Sequence, residues 1–131
     1  IETSTGLNRL FLMVLCEAYR EDNDNNRIVL QLPFDLAPNK IVVCPLLKKD
    51  GLPEKAKEIF DSISSHHKCV YDEQGSIGKR YYRQDEAGTP FGITIDHDTL
   101  EDNSITIRER DSMEQHRIPI DNILKFISEN K

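Results

Sequence analysis

Apolar and polar positions along the chain divide it into short, alternating segments with two periods. Leu10, Phe11, Val14, Leu15 and Ala18 fall at helical spacing, and Leu12, Met13 and Cys16 widen that stripe, so residues 7–20 read as a helix apolar on more than one side. Glu21 to Asn26 has no period and reads as a loop, and Arg27 to Leu32 as a short extended segment. Pro33 and Pro38 bracket a connector. The run KIVVCPLL (40–47) is continuously apolar, the mark of a strand buried on both faces, with its ladder finishing near Pro45. Gly51-Leu52-Pro53 opens a helix with the stripe Ala56, Ile59, Phe60 and Ile63. A second strand follows at Lys68 to Tyr71, and Ser76 caps a helix over Ile77 to Ala87 that Gly88-Thr89-Pro90 ends. Phe91 to Asp96 is a third strand, and 98–103 a turn or single helical loop. In Ser104 to Glu109 alternation puts Ile105 and Ile107 on one face and Thr106 and Arg108 on the other. Arg117 to Ile120 is a last strand, and Asp121 caps a final helix carrying Ile123, Leu124, Phe126 and Ile127.

From residue 40 the order is β-α-β-α-β-β-β-α. A βαβ start predicts parallel pairing with a right-handed crossover, and the later hairpins predict antiparallel pairing. The expectation is an α/β fold with a mixed five-stranded sheet flanked by helices. A boundary at about residue 38 divides the chain into 1–37 and 38–131.

Composition narrows the function. At 131 residues the chain suits one ordinary domain with an attached piece of another. A net charge of −6 argues against holding duplex DNA by phosphate neutralisation alone, though a local basic patch can still read a few unpaired bases. Cys16, Cys44 and Cys69 follow no metal or disulfide spacing and read as buried free thiols in a reducing compartment. His66-His67 is not read as a metal site, because adjacent helical residues do not face one another and no partner is spaced to help. No stretch approaches the ~20 apolar residues of a membrane span, and the first residues lack the pattern of a signal peptide. The chain opens on Ile rather than Met and reads as a piece of a larger, cytoplasmic protein. No Walker loop or glycine fingerprint follows the first strand, so binding rather than reaction is expected after residue 38, and a small nucleotide-binding α/β protein is disfavoured.

The stretch SIGKRYYRQDEAGTPFGITIDHDTLEDNSITIRERDSMEQ (76–115) resembles the C-terminal domain of dimeric class II glycyl-tRNA synthetases. The likeness is ungapped and particular in its Arg-Gln-Asp-Glu, Gly-Thr-Pro and Arg-Glu-Arg-Asp steps. It extends to IETSTGLNRLF (1–11), which looks like motif 3 of class II synthetases. It implies a three-layer anticodon-binding domain preceded by a strand–helix remnant of the catalytic domain. By that resemblance Arg9 and Gly6 belong to the ATP site, and Glu2 and Ser4 to the glycine site. Thr3 stands where many relatives carry Pro.

Glycine anticodons share two cytosines, whose N4 amino group suits a carboxylate and whose O2 and N3 suit an arginine. The resemblance assigns anticodon contacts to Thr94, Asp96, His97, Arg108 and Arg110, with His97 stacking where some relatives carry Phe. Lys79, Arg80 and Arg83 are weaker candidates for phosphate in the anticodon stem. The implied partner is the anticodon stem-loop of tRNA(Gly). The implied parent is a homodimer that ligates glycine to tRNA with ATP and Mg through a glycyl-adenylate, while this piece alone is inactive and carries no metal or cofactor. The alternative is a non-catalytic accessory or dimerisation module on the same fold.

Overall fold

The computed structural model describes residues 2–131, with side chains from residue 6 onward. Helix α1 (Glu2–Ala18) leads into a two-stranded antiparallel hairpin of β1 (Tyr19–Asp22) and β2 (Arg27–Leu30). After a single 3-10 turn at Phe34–Leu36 come β3 (Ile41–Pro45), α2 (Leu52–Ser64), β4 (Cys69–Tyr71), α3 (Ile77–Ala87), β5 (Phe91–Ile95), α4 (His97–Asp102), β6 (Ser104–Glu109), β7 (Gln115–Pro119) and α5 (Ile123–Asn130).

The five-stranded sheet has the order β4-β3-β5-β6-β7. β3 pairs in parallel with both β4 and β5, and the β5–β6 and β6–β7 pairs are antiparallel. All five residues of β3 are buried, as a central strand covered on both faces requires. One face carries the main core: Ile41, Val43, Ile93, Ile95, Ile105 and Ile107 meet Ala56, Ile59 and Ile63 of α2 and Ile123 and Ile127 of α5. On the other face α3 lies over β3 and β5. Gly92 makes that approach possible, because a Cβ there would overlap Tyr81 Cε1.

Local signals set the ends. Ser76 Oγ accepts from Lys79 N at 3.4 Å to start α3, and Gly88 ends it at φ 83°. Asp96 opens α4 with a capping box shared with Thr99, and Asn103 closes it in the left-handed region.

Four expectations fail. Residues 2–6 continue α1 instead of forming a strand and a glycine turn. A strand must find an edge to pair with, whereas a helix satisfies its backbone internally, and Leu7, Arg9, Leu10, Leu12 and Met13 favour it. Tyr19–Asp22, read as helix end and loop, is the first strand of the hairpin. Asp121 caps nothing: it lies in a 3-10 turn, and α5 starts without a side-chain cap. Cys16 is exposed on α1, while Cys44 is buried and Cys69 half-buried; all three are free.

α1 touches the hairpin through Ala18, Val14 and Leu15 against Leu30, Leu32 and Ala37. Its remaining apolar surface is open, with Leu7, Leu10, Phe11, Leu12 and Met13 each 57–66% exposed. No helix among the described residues is long and apolar enough to cross a membrane.

Candidate functional site

β5 and β6 carry their side chains alternately to the two faces, so Gly92 and Thr94 share the α3 side with Arg108 and Thr106 opposite them. Thr106 is in turn opposite Arg117 of β7. α3 covers only part of this face. Beyond its edge, Thr106 is half-buried and Gln115 and Arg117 are exposed. The uncovered part is a cleft of about 320 Å³ lined by Leu46, Gly78, Tyr81, Thr94, Asp96 and Thr106, among others. It lies at the carboxyl ends of the parallel strands β3 and β5, where open α/β sheets place their ligands.

Two of the predicted residues line this cleft. Thr94 is buried and its hydroxyl shares a hydrogen bond with the phenol of Tyr81. Asp96, directly after β5, accepts Thr99 N at 3.1 Å as the cap of α4. Its other partner is Arg117, whose Nη1 donates to Oδ2 at 2.7 Å and Nη2 to Oδ1 at 3.0 Å. Burial pushes the Asp96 carboxyl up, but the hydrogen bonds from Arg117 and Thr99 outweigh it and hold the group below the usual carboxylate range. Arg117 also donates from Nε to Ser104 Oγ at 2.7 Å and from Nη1 to Thr106 Oγ1 at 3.2 Å. The result is a carboxylate and a planar guanidinium fixed side by side at the open strand ends. Such a pair offers acceptor and donors to a planar polar ligand.

His97 is exposed at the first position of α4, and its Nε2 lies 3.0 Å from Asp50 Oδ2. It flanks the cleft through Asp96, and its imidazole is engaged by the β3–α2 loop.

Arg108 and Arg110 stand elsewhere, contrary to expectation. Arg108 is opposite Gly92, one pair further along the ladder than Thr94. The space above Gly92 admits Tyr81, and the Arg108 guanidinium lies 4.8 Å from that ring's centroid. It donates in bidentate fashion to Asp85 at 2.9 and 3.0 Å. Asp85 also accepts from Arg27 Nη1 of β2 at 2.8 Å, and Arg27 Nε reaches Asp22 at 2.8 Å. Arg110 donates to the carbonyls of Gly88 and Leu32, both at 2.9 Å. Arg27, Asp85, Arg108 and Arg110 are all less than 9% exposed. These arginines therefore clamp the hairpin, α3 and β6 together. Among the described residues no buried side-chain polar atom is left without a partner.

The basic residues of α3 divide in the same way. Arg80, expected on a solvent or phosphate side, is 3% exposed and donates to the carbonyls of Pro45 and Gly75. Arg83 is paired with Asp72. Lys79 is exposed.

Gly6 and Arg9 are exposed on α1, and the side chains of Glu2 and Ser4 lie outside the described residues. No strand and turn brings Gly6 and Arg9 together, and the groove beside this helix is lined by Leu7, Leu10, Phe11 and Val14. That lining does not fit a triphosphate or its Mg, so no ATP chemistry is derived from these residues. His67 packs edge-on against Phe34 with ring centroids 5.5 Å apart. Glu109, Glu114 and His116 bring three possible ligand atoms within 4.8 Å of one another. They occupy the half-exposed β6–β7 hairpin as mutual charge partners, with His116 against Phe126.

The sequence reading missed Arg117. The signal was present in the alternation of Gln-His-Arg-Ile-Pro, which sets Arg117 opposite Thr106 on the face of Thr94.

Comparison with known proteins agrees with this architecture. The chain is 48% identical to a glycine–tRNA ligase of Borrelia hermsii over 130 residues, covering 97% of this chain and 29% of that protein. It is 52% identical to the glycine–tRNA ligase of Clostridium tetani over 132 residues, covering 98% of this chain and 28% of that protein. The chain thus spans less than a third of the length of these relatives. In fold it resembles the RNA-binding domain of threonyl-tRNA synthetase from Cryptosporidium parvum Iowa II. That likeness has a TM-score of 0.68 at 20% identity and covers 76% of this chain and 25% of that one. The sequence profile of the anticodon binding domain matches residues 40–130, and the chain belongs to that family.

Proposed function

We propose that this chain is the anticodon-reading part of a glycine–tRNA ligase, and that the Asp96–Arg117 pair reads the cytosines of the glycine anticodon. The observation that carries the reading is that pair's place, at the open strand ends of a chain whose family binds anticodons. An entering cytosine edge exchanges for part of the internal pairing: Asp96 accepts from N4, and the Arg117 fork, turned from Thr106, donates to O2 and N3. Thr94 and Thr106 supply hydroxyls at the floor, and His97 is placed to stack on a splayed base. Arg108 and Arg110 hold the scaffold in this reading and do not touch RNA.

The longer protein would attach glycine to tRNA with ATP and Mg, as a cytoplasmic homodimer. Residues 1–37 would belong with its catalytic part and 38–131 to the reading domain, a division supported by a family match that starts at residue 40. The exposed apolar stripe of α1 fits a helix that meets the rest of that protein.

The test is a titration with a glycine-type anticodon stem-loop and with a control loop whose two cytosines are changed, read by fluorescence anisotropy. The expected result is tighter binding of the first loop, with the preference lost in Arg117→Ala. Equal binding of both loops by the unmutated chain would overturn the reading.

A further inference from the structure

With Arg80 and Arg83 committed to internal partners, the phosphates of a bound strand need other cations. Three exposed lysines flank the cleft, and none enters an ion pair among the described residues: Lys48 and Lys49 in the β3–α2 loop, and Lys79 in the first turn of α3. Their positions are fixed by what stands beside them. Leu46, two residues before Lys48, lines the cleft, and its N–H donates to Ile95 O at 2.8 Å, rooting the loop on β5. At the far end Asp50 is tied to His97 at 3.0 Å, and Asp50 and Gly51 turn the chain into α2 with φ of 62° and 79°. Lys79 directly follows Gly78, which lines the cleft from the α3 side.

This rim differs in sign from the rest of the site. The first turn of α3 carries no acidic residue, and its backbone N–H groups add positive potential at the same place. Beyond His97, α4 exposes Asp98, Glu101 and Asp102. In a chain of net charge −6, three unpaired cations on one rim and three carboxylates on another form a directional field, which a polyanion enters in one orientation.

We propose that Lys48, Lys49 and Lys79 form a phosphate rail along the β3–α3 rim of the cleft. Single-stranded RNA lies with its sugar–phosphate backbone on this rail and its base edges over Thr94, Asp96 and Arg117. The inference rests on the reading of the cleft as an anticodon site. It adds where the backbone runs and which residues hold it.

The two ideas separate in one experiment. The chain, its Lys48→Gln/Lys49→Gln/Lys79→Gln variant and a control Lys68→Gln/Lys125→Gln variant are titrated with the glycine-type loop and the cytosine-changed loop over a range of salt. A rail predicts that the first variant weakens both loops by the same factor, leaving their ratio unchanged. Its plot of log affinity against log salt becomes shallower by about 2, at ~0.7 for each single-strand phosphate that is no longer neutralised. The control variant, altered on exposed lysines before β4 and on α5, keeps the original slope. An unchanged slope in the first variant, with cytosine preference intact, overturns the rail and leaves the base reading standing. A shallower slope in a chain that never distinguished the loops supports the rail and overturns the base reading. A chain that binds neither loop overturns both.

Discussion

Asp85 and Asp96 are both aspartates held by arginine forks on the α3 side of one sheet, yet they serve opposite ends. Asp85 is fully buried and takes Arg108 from β6 and Arg27 from β2. Asp96 stands at the open end of β5 and takes Arg117 from β7, with side-chain exposures of 24% and 35%. The chemistry of the two pairs is the same, and their surroundings are not. With its carboxylate and guanidiniums removed from water, the first cluster cannot trade partners without leaving a buried charge unpaired. The second can exchange a protein partner for a ligand at little cost, because water already reaches it. A charge pair alone does not mark a binding site; what α3 covers decides which pair is scaffold and which is available.

The strongest way to break this comparison is Asp85→Asn. It strands two buried guanidiniums, and the expected loss is about 3–5 kcal/mol of folding stability, read as a lower urea midpoint. A loss under about 1 kcal/mol would show that Arg27 and Arg108 find other partners, and the scaffold role would fail. Next comes Gly92→Ala. The added methyl meets Tyr81 Cε1 and also approaches Val42 Cγ1, so α3 must shift away from β5. Overpacking of this kind costs about 1–3 kcal/mol. Because Tyr81 also closes the cleft against Thr94, RNA binding should weaken along with the thermal midpoint.

The sheet was legible because its signals are local. The run KIVVCP can be buried only on both faces, and alternation in SITIRE separates core from cleft. Ser76, Gly88 and Asp96 act within a few residues of themselves. Arg108 was misread because alternation gives its face but not what lies over that face. The covering side chains, Tyr81 and Asp85, arrive from α3, and the mark of their approach is the missing side chain at Gly92. Tyr19–Asp22 was missed because a strand in a two-stranded hairpin, largely exposed, carries no apolar period. Asp96 was recognised from its place after β5, while Arg117 was passed over because its meaning depends on the β6–β7 register.

The Asp96–Arg117 pair gives the smallest stability effect and the sharpest functional one. Each side chain is partly in water, so Arg117→Ala is expected to cost about 0–1 kcal/mol of stability while removing cytosine preference. Asp96→Asn isolates the charge, because Asn caps a helix about as well as Asp and α4 should keep its start. The hydrogen bonds hold the Asp96 carboxyl below its ordinary value, so the folded state binds the proton more weakly than the unfolded chain does. Its contribution is therefore complete above the ordinary carboxylate range and is lost as pH falls through the depressed folded value. The stability gap between the original chain and Asp96→Asn should be flat near neutrality and close on acidification. At neutral pH Asp96→Asn should lose cytosine preference with its fold intact, whereas Asp85→Asn should lose its fold first. If both variants lost stability and preference in the same proportion, the two aspartates would be one structural network and the division between scaffold and site would fall.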